Sequence, residues 1–227
     1  MVGDSMRCLL TGFDAFGATD VNPSQSAVER VADNLQLEGA RADVPVTKLI
    51  LTTCCGEAWS AVEAHVKAMD AKEPFFVLLS GFAGGRDRIC LERFALNVRQ
   101  YRIADNRGHQ WRDEFIDKGG PDALRTTLPL DDLADALAAN ALACDVSNYA
   151  GSFVCNETYY LTMQKWQIDK RCMGVLFIHF PSPANYATVV KTPEFLGENA
   201  ELDVIAEYAK ALTETIKFVA SRASVNA

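Results

Sequence analysis

Two apolar runs constrain this chain more than anything else in it. F-F-V-L-L-S at 75–80 and M-G-V-L-F-I-H-F-P at 173–181 show no alternation of polar and apolar positions. A strand with one wet face alternates. A strand that is apolar throughout has to be covered on both faces, as in the middle of a parallel sheet between helices. The rest of the chain supplies those helices and further strands. Residues 6–11 form a short buried strand, and the loop G-F-D-A-F-G follows it. Asn22-Pro23 caps a helix over about 23–36, with Ala27, Val28, Val31 and Leu35 on one side. A strand at 44–51 enters irregularly at Pro45. An amphipathic helix covers 57–70, and residues 88–98 are extended. Residues 101–121 are a long loop, and a helix over about 131–143 places Leu133, Leu137 and Ala141 inward. A brief strand at 144–147 carries Cys144 into the core and leads to S-N-Y-A-G-S-F-V-C-N, after which a helix runs on. Pro181 and Pro183 open an irregular connection over 182–200, either a lid or disordered, before a last helix over about 201–221. The order β-α-β-α-β-β-loop-α-β-α-β-α predicts an α/β fold: one α/β/α sandwich domain over 1–227 with a mostly parallel central sheet, and residues 1–5 as an extension.

Charge and cysteine usage remove several function classes. There are 30 acidic against 22 basic residues, a net charge of -8, and no basic cluster, so a nucleic-acid surface is not expected. No apolar run has the length of a membrane span, and M-V-G-D-S-M-R lacks the apolar core of a signal peptide. The seven cysteines at 8, 54, 55, 90, 144, 155 and 172 are scattered, without a C-x-x-C pair. That pattern supports neither a zinc pair nor a thioredoxin-type motif, and points to reduced thiols in the cytoplasm.

Four places carry candidate chemistry. Cys155 stands where a small-residue loop (Ala150, Gly151, Ser152) and two bulky residues run into a helix. Unpaired amides and the positive end of the helix dipole favour thiolate there and offer an oxyanion hole. A buried structural thiol is the other reading. His179 closes the strand at 173–181, at the sheet edge where α/β proteins place ligands. G-F-A-G-G-R at 81–86 follows a central strand and is either a ligand loop or a tight turn; it is not a P-loop. Glu92 lies between Leu91 and an Arg93-Phe94 pair. Either Arg93 neutralises it structurally, or it orients a catalytic imidazole. His65, beside the apolar stripe of its helix, is a packing or surface residue. Cys155, His179 and Glu92 together make a nucleophile–base–orienter set suited to acyl transfer through a thioester.

The motifs that carry these residues resemble those of the pyroglutamyl peptidase I family, also called pyrrolidone-carboxylate peptidases. T-G-F-D-A-F-G with V-N-P-S, G-F-A-G-G-R-D-R-I-C-L-E-R-F-A-L-N, Y-A-G-S-F-V-C-N and F-I-H-F-P occur in the family's order, and the resemblance runs from about Arg7 to the final helix. It implies a cysteine exopeptidase that removes N-terminal pyroglutamyl residues from peptides, with Cys155 as nucleophile, His179 as base and Glu92 as orienter. It implies a lactam pocket of Phe13, Phe16 and Phe153, with backbone groups of Phe82 and Phe153 on the ring amide and Val154 alongside. Arg102 near the oxyanion and Ile103 complete it. No metal and no cofactor are implied, and assembly as a homo-tetramer is. The chain departs from the family at Asp14-Ala15-Phe16, at Val46, at Phe82 and at Y-R-I-A-D-N; a backbone contact at Phe82 survives its change. Two alternatives are a phosphorylase of related fold that uses Arg86 for phosphate, and a catalytically silent peptide-binding protein.

Overall fold

The computed structural model describes residues 6–17, 19–37, 43–70, 72–190 and 200–225. Residues 1–5 lie outside them. Seven strands make the main sheet: β1 (Arg7–Phe13), β2 (Asn34–Leu35), β3 (Val44–Leu51), β4 (Phe75–Phe82), β5 (Ile89–Glu92), β8 (Cys144–Ser147) and β9 (Cys172–Phe180), in the order β2-β3-β1-β4-β9-β5-β8. β3, β1, β4 and β9 are mutually parallel. β5 runs antiparallel to β9 and carries β8 parallel to itself. A second ribbon pairs β6 (Phe94–Leu96) with β7 (Ala123–Arg125).

The apolar runs resolve into two alternating sets, both covered. Phe76, Leu78, Leu176, Ile178 and Phe180 face a core shared with α1 (Pro23–Arg30), α3 (Leu130–Ala139), α5 (Pro183–Val190) and α6 (Ala200–Val225). Phe75, Val77, Leu79, Val175 and Phe177 face the other core, against α2 (Glu57–Ala68) and α4 (Val154–Trp166). Each such large side chain contributes about 1.5–3 kcal/mol by leaving water, so the two central strands hold the layers together. This is the expected α/β/α sandwich with a mostly parallel sheet.

Several boundaries differ from expectation. The first helix begins at Pro23 behind the Asn22 cap, whose side chain accepts the Ser24 N–H at 3.0 Å, but it ends at Arg30 rather than 36. Val31 turns extended (φ -68, ψ 141), and Leu35 is buried in β2, which pairs with β3. The apolar residues are therefore buried as their spacing implies, by an edge strand instead of a helix. The helix expected over 131–143 stops at Ala139 because Ala141 takes φ 61, and the Leu142 N–H returns to the Leu137 carbonyl at 3.1 Å. Ala141 is exposed and Cys144 is half-buried. The stretch after Pro181 is partly helical. Ser182 accepts the Asn185 N–H on Oγ (3.2 Å), Pro183 takes the first helical position, and Tyr186 packs on Tyr208 at 5.3 Å between ring centres. Residues 191–199 of that connection lie outside the described residues. The long loop is pinned by Asn97, which donates to the Asp117 carbonyl (2.7 Å) and accepts the Asp117 N–H (2.9 Å).

Candidate active site

The C-terminal ends of β4 and β9 meet the N-terminus of α4 in one place. Gly151 (φ 85) turns the chain, Phe153 caps the helix without offering a side-chain acceptor, and Cys155 is its second residue. The amides of the first turn are thus left for another acceptor. Gly81 pairs in register with His179 across β4 and β9. A Cβ on Gly81 would lie 3.0 Å from Cys155 Sγ and 2.9 Å from the Phe177 ring, so glycine is what admits the thiol to this row of the sheet. The His179 ring lies on Phe177, 4.6 Å between centres. Cys155 and His179 both line a cavity of about 780 Å³.

Glu92 arrives on the antiparallel strand β5, opposite Phe177 and two register positions from His179. It is fully buried, and its Oε1 takes the His179 Nδ1 contact at 2.8 Å. The same oxygen pairs with Arg86 Nη2 at 2.9 Å. Arg93 is not its partner: that guanidinium leaves for Asn148 Oδ1 (3.1 Å) and Asp131 Oδ1 (3.2 Å). Arg86 also donates to the Tyr149 carbonyl at 2.7 Å, which ties the glycine loop to the segment before Cys155. Asn185 holds that loop from the far side, through the carbonyls of Gly84 (2.9 Å) and Arg86 (3.1 Å). Burial, and then the charge of Glu92, push the Cys155 thiol up to about 12. A backbone N–H works in the opposite direction, towards the thiolate the helix start was expected to favour. The proton has to be removed by a neighbouring base.

The structure brings most of the expected pocket residues together. Phe16, Phe82, Arg102, Ile103 and Phe153 line the cavity with Cys155 and His179. Glu92 stands behind the imidazole. Phe13 and Val154 do not line it: both are buried in the core beneath, Phe13 against Phe177 at 6.4 Å. Phe153 is flanked by Tyr101 (4.6 Å) and Phe16 (5.7 Å). The Phe82 ring rests over Gly84, where a Cβ would meet it at 2.7 Å.

Three supporting residues escaped the sequence reading. In the sequence, Arg86 reads only as a phosphate ligand. Asn156 is fully buried and holds the β6 segment by accepting the Leu96 N–H (2.8 Å) and donating to the carbonyls of Leu96 (2.8 Å) and Val98 (3.1 Å). Glu157 is buried and anchors α4 through Arg99 (two contacts of 3.0 Å), Tyr101 OH (2.6 Å) and the Gly56 N–H (3.2 Å). The available signal was C-N-E itself: two polar residues directly after the thiol, on a helix buried on almost every side.

The sequence signature of the family described as pyroglutamyl peptidase matches residues 6–205. The chain belongs to the pyroglutamyl peptidase family. The pyrrolidone-carboxylate peptidase of Coprothermobacter proteolyticus is 35% identical over 212 residues, covering 92% of this chain and 96% of that one. The one from Vibrio campbellii is 38% identical over 178 residues, covering 77% and 78%. Among solved structures, pyroglutamyl peptidase I of Bacillus amyloliquefaciens superposes with a TM-score of 0.76 at 30% identity, covering 96% of this chain and 98% of that one. Pyrrolidone carboxyl peptidase of Fervidobacterium islandicum gives 0.74 at 27% identity, with 94% and 97% covered. Membership in the pyroglutamyl peptidase family accords with the single α/β domain found here. Among the described residues, no helix is long and apolar enough to cross a membrane.

Proposed function

We propose that the chain removes N-terminal pyroglutamyl residues from peptides, with Cys155, His179 and Glu92 as its catalytic set. The observation that carries this is the buried Glu92–His179 contact of 2.8 Å, opening onto a cavity that also holds the Cys155 thiol. His179, bonded through Nδ1 to Glu92, turns its other nitrogen to the cavity as general base. It takes the Cys155 proton as sulfur attacks the pyroglutamyl carbonyl carbon. The oxyanion is met by the unpaired amides at the start of α4, with Arg102 close by. The imidazolium then protonates the departing amine, leaving a thioester. Water attacks that thioester with His179 again as base, and pyroglutamate and free thiol result.

The lactam ring is uncharged and flat, and the cavity offers it aromatic faces. A ring held between two others needs about 7 Å between them, two contacts of about 3.5 Å. Phe16 and Phe153 stand at 5.7 Å, and Tyr101 already covers another side of Phe153. Phe16 therefore has to move off Phe153 to seat the lactam. Backbone groups of Phe82 and Phe153 bind the ring amide, and Ile103 closes the side. Phe13 and Val154 act from beneath, as the packing under Phe153 and Cys155. A phosphorylase reading is disfavoured because Arg86 is taken by Glu92 and Tyr149.

All seven cysteines are unpaired, which supports work in a reducing compartment such as the cytoplasm. Assembly as a homo-tetramer is part of the same proposal, and light scattering reads it directly. The deciding experiment is hydrolysis of a pyroglutamyl amide reporter by the native protein, the iodoacetamide-treated protein and Cys155→Ala. Hydrolysis by the first alone, with a thioester trapped in the acid-quenched native enzyme, is expected. Turnover that survives in Cys155→Ala would overturn the mechanism. Binding without turnover in the native protein would leave the silent peptide-binding alternative.

A further inference from the structure

A second group of chemically reactive side chains lies outside the catalytic cavity. Cys54 Sγ, an Asp105 carboxylate oxygen and a His109 ring nitrogen all lie within 4.8 Å of one another. Among the described residues this is the only cluster of three such ligand atoms. None of the three lines the cavity. Cys54 belongs to the turn before α2, and the other two to the loop that follows Arg102 and Ile103.

We propose that Cys54, Asp105 and His109 form a site for a divalent cation of the zinc type. Sulfur, imidazole nitrogen and carboxylate oxygen are the donor types such ions choose, with a fourth position left to water on the side of the half-exposed His109. The carboxylate is already fixed. Asp105 Oδ1 accepts the backbone N–H groups of Arg107 and His109, each at 2.9 Å. Oδ2 accepts the Cys55 N–H at 2.9 Å and meets His109 Nδ1 at 3.2 Å. When the ion replaces the His109 contact, Oδ2 keeps its backbone donor and gains one metal bond. The charges close: thiolate and carboxylate supply two negative charges against the ion's two positive ones, with a neutral imidazole. The thiol proton goes to solvent, and the ion gives up three of its waters. Glu57 is itself paired to Arg107 (2.9 and 3.1 Å), so it borders the site without being counted as a ligand.

The site also sits where two substrate-pocket loops are joined. The Asn106 N–H bonds the Thr53 carbonyl at 3.0 Å, and the Asn106 side chain donates to Asp14 Oδ1 (3.1 Å) and the Ala15 carbonyl (2.9 Å), beside Phe16. An ion here clasps the turn at 53–57 to the loop at 105–109. The experiment is a cobalt(II) titration of the reduced Cys155→Ala protein, which lacks the catalytic thiol. One cobalt per chain is expected, with a thiolate-to-cobalt absorption band that zinc abolishes. Cys54→Ser should remove the band. His109→Ala, at a half-exposed ring whose loss the fold tolerates, should weaken binding at least tenfold and cancel the rise in melting temperature that zinc gives the parent. Absence of the band, its persistence in Cys54→Ser, or unchanged affinity in His109→Ala would each overturn the proposal.

Discussion

One carboxylate oxygen, Oε1 of Glu92, holds both the imidazole and a guanidinium. A hydrogen bond to a charged group contributes about 1.5–3 kcal/mol, or about ten- to a hundredfold in rate when it matters in the transition state. Arg86→Met should lower kcat of pyroglutamyl hydrolysis by about that factor and leave KM near the native value. A raised KM with native kcat would make Arg86 a substrate contact instead. The thiol gives a second test at this scale. With Cys155 pushed up to about 12, the reactive thiolate is scarce at neutrality and grows with pH. Inactivation by iodoacetamide should therefore quicken about tenfold per pH unit from about 7 to 9; a plateau in that range would show a thiolate already formed. Cys155 and His179 were legible in the sequence because a helix start and a strand end are local features. The Glu92 partner was not. Arg93, its chain neighbour, points to the opposite side of the strand, while Arg86 returns from across a turn that no periodicity reveals.

At the level of elements, the site is a three-way junction with little slack. β4 and β9 pair at Gly81 and His179, and α4 sets its thiol directly over that pair. Gly81→Ala puts a methyl group 3.0 Å from Sγ and 2.9 Å from the Phe177 ring. Overpacking of this kind costs about 1–3 kcal/mol, so the variant should fold with a lower melting temperature. Its kcat should fall much further than its stability, because the methyl group displaces the thiol proposed as nucleophile. Native kcat in a destabilised Gly81→Ala protein would mean that α4 shifts freely over the sheet. Elements defined by long apolar runs were readable, since burial on both faces leaves one solution. The end of α1 and the start of α5 were not. Val31 and Leu35 keep helical spacing although Val31 ends the helix in an extended conformation and Leu35 lies in a strand, and Ser182-Pro183 reads as a break although it is a cap with proline at the first helical position.

For the molecule as a whole, thiols held away from water set an alkaline limit. Cys8 is pushed far up and Cys155 and Cys172 to about 12, chiefly by desolvation, against an ordinary value of 9.0. A raised folded-state value adds stability that is complete below 9 and is lost as pH climbs from there toward 12. Above pH 9 each such thiol removes about 1.4 kcal/mol of folding free energy per pH unit. The melting temperature should therefore be level from pH 7 to about 8.5 and fall steeply beyond, and less steeply in Cys8→Ala. An equal slope in that variant would assign the loss to other groups. The layered architecture was legible because strand and helix patterns alternate, while the reversal of β5 against β9 was not, since an apolar strand carries no mark of its direction. That reversal has a kinetic side. Glu92 reaches His179 only after β5 has docked on β9, and the thiol shares their cavity only after α4 has packed on the sheet that pairs β9 with β4. Contacts between segments far apart in the chain form slowly, so an incompletely assembled molecule cannot cut peptides. On dilution from denaturant, helical circular dichroism should return first and hydrolysis should lag behind it. Simultaneous recovery would mean that the sheet closes at the outset.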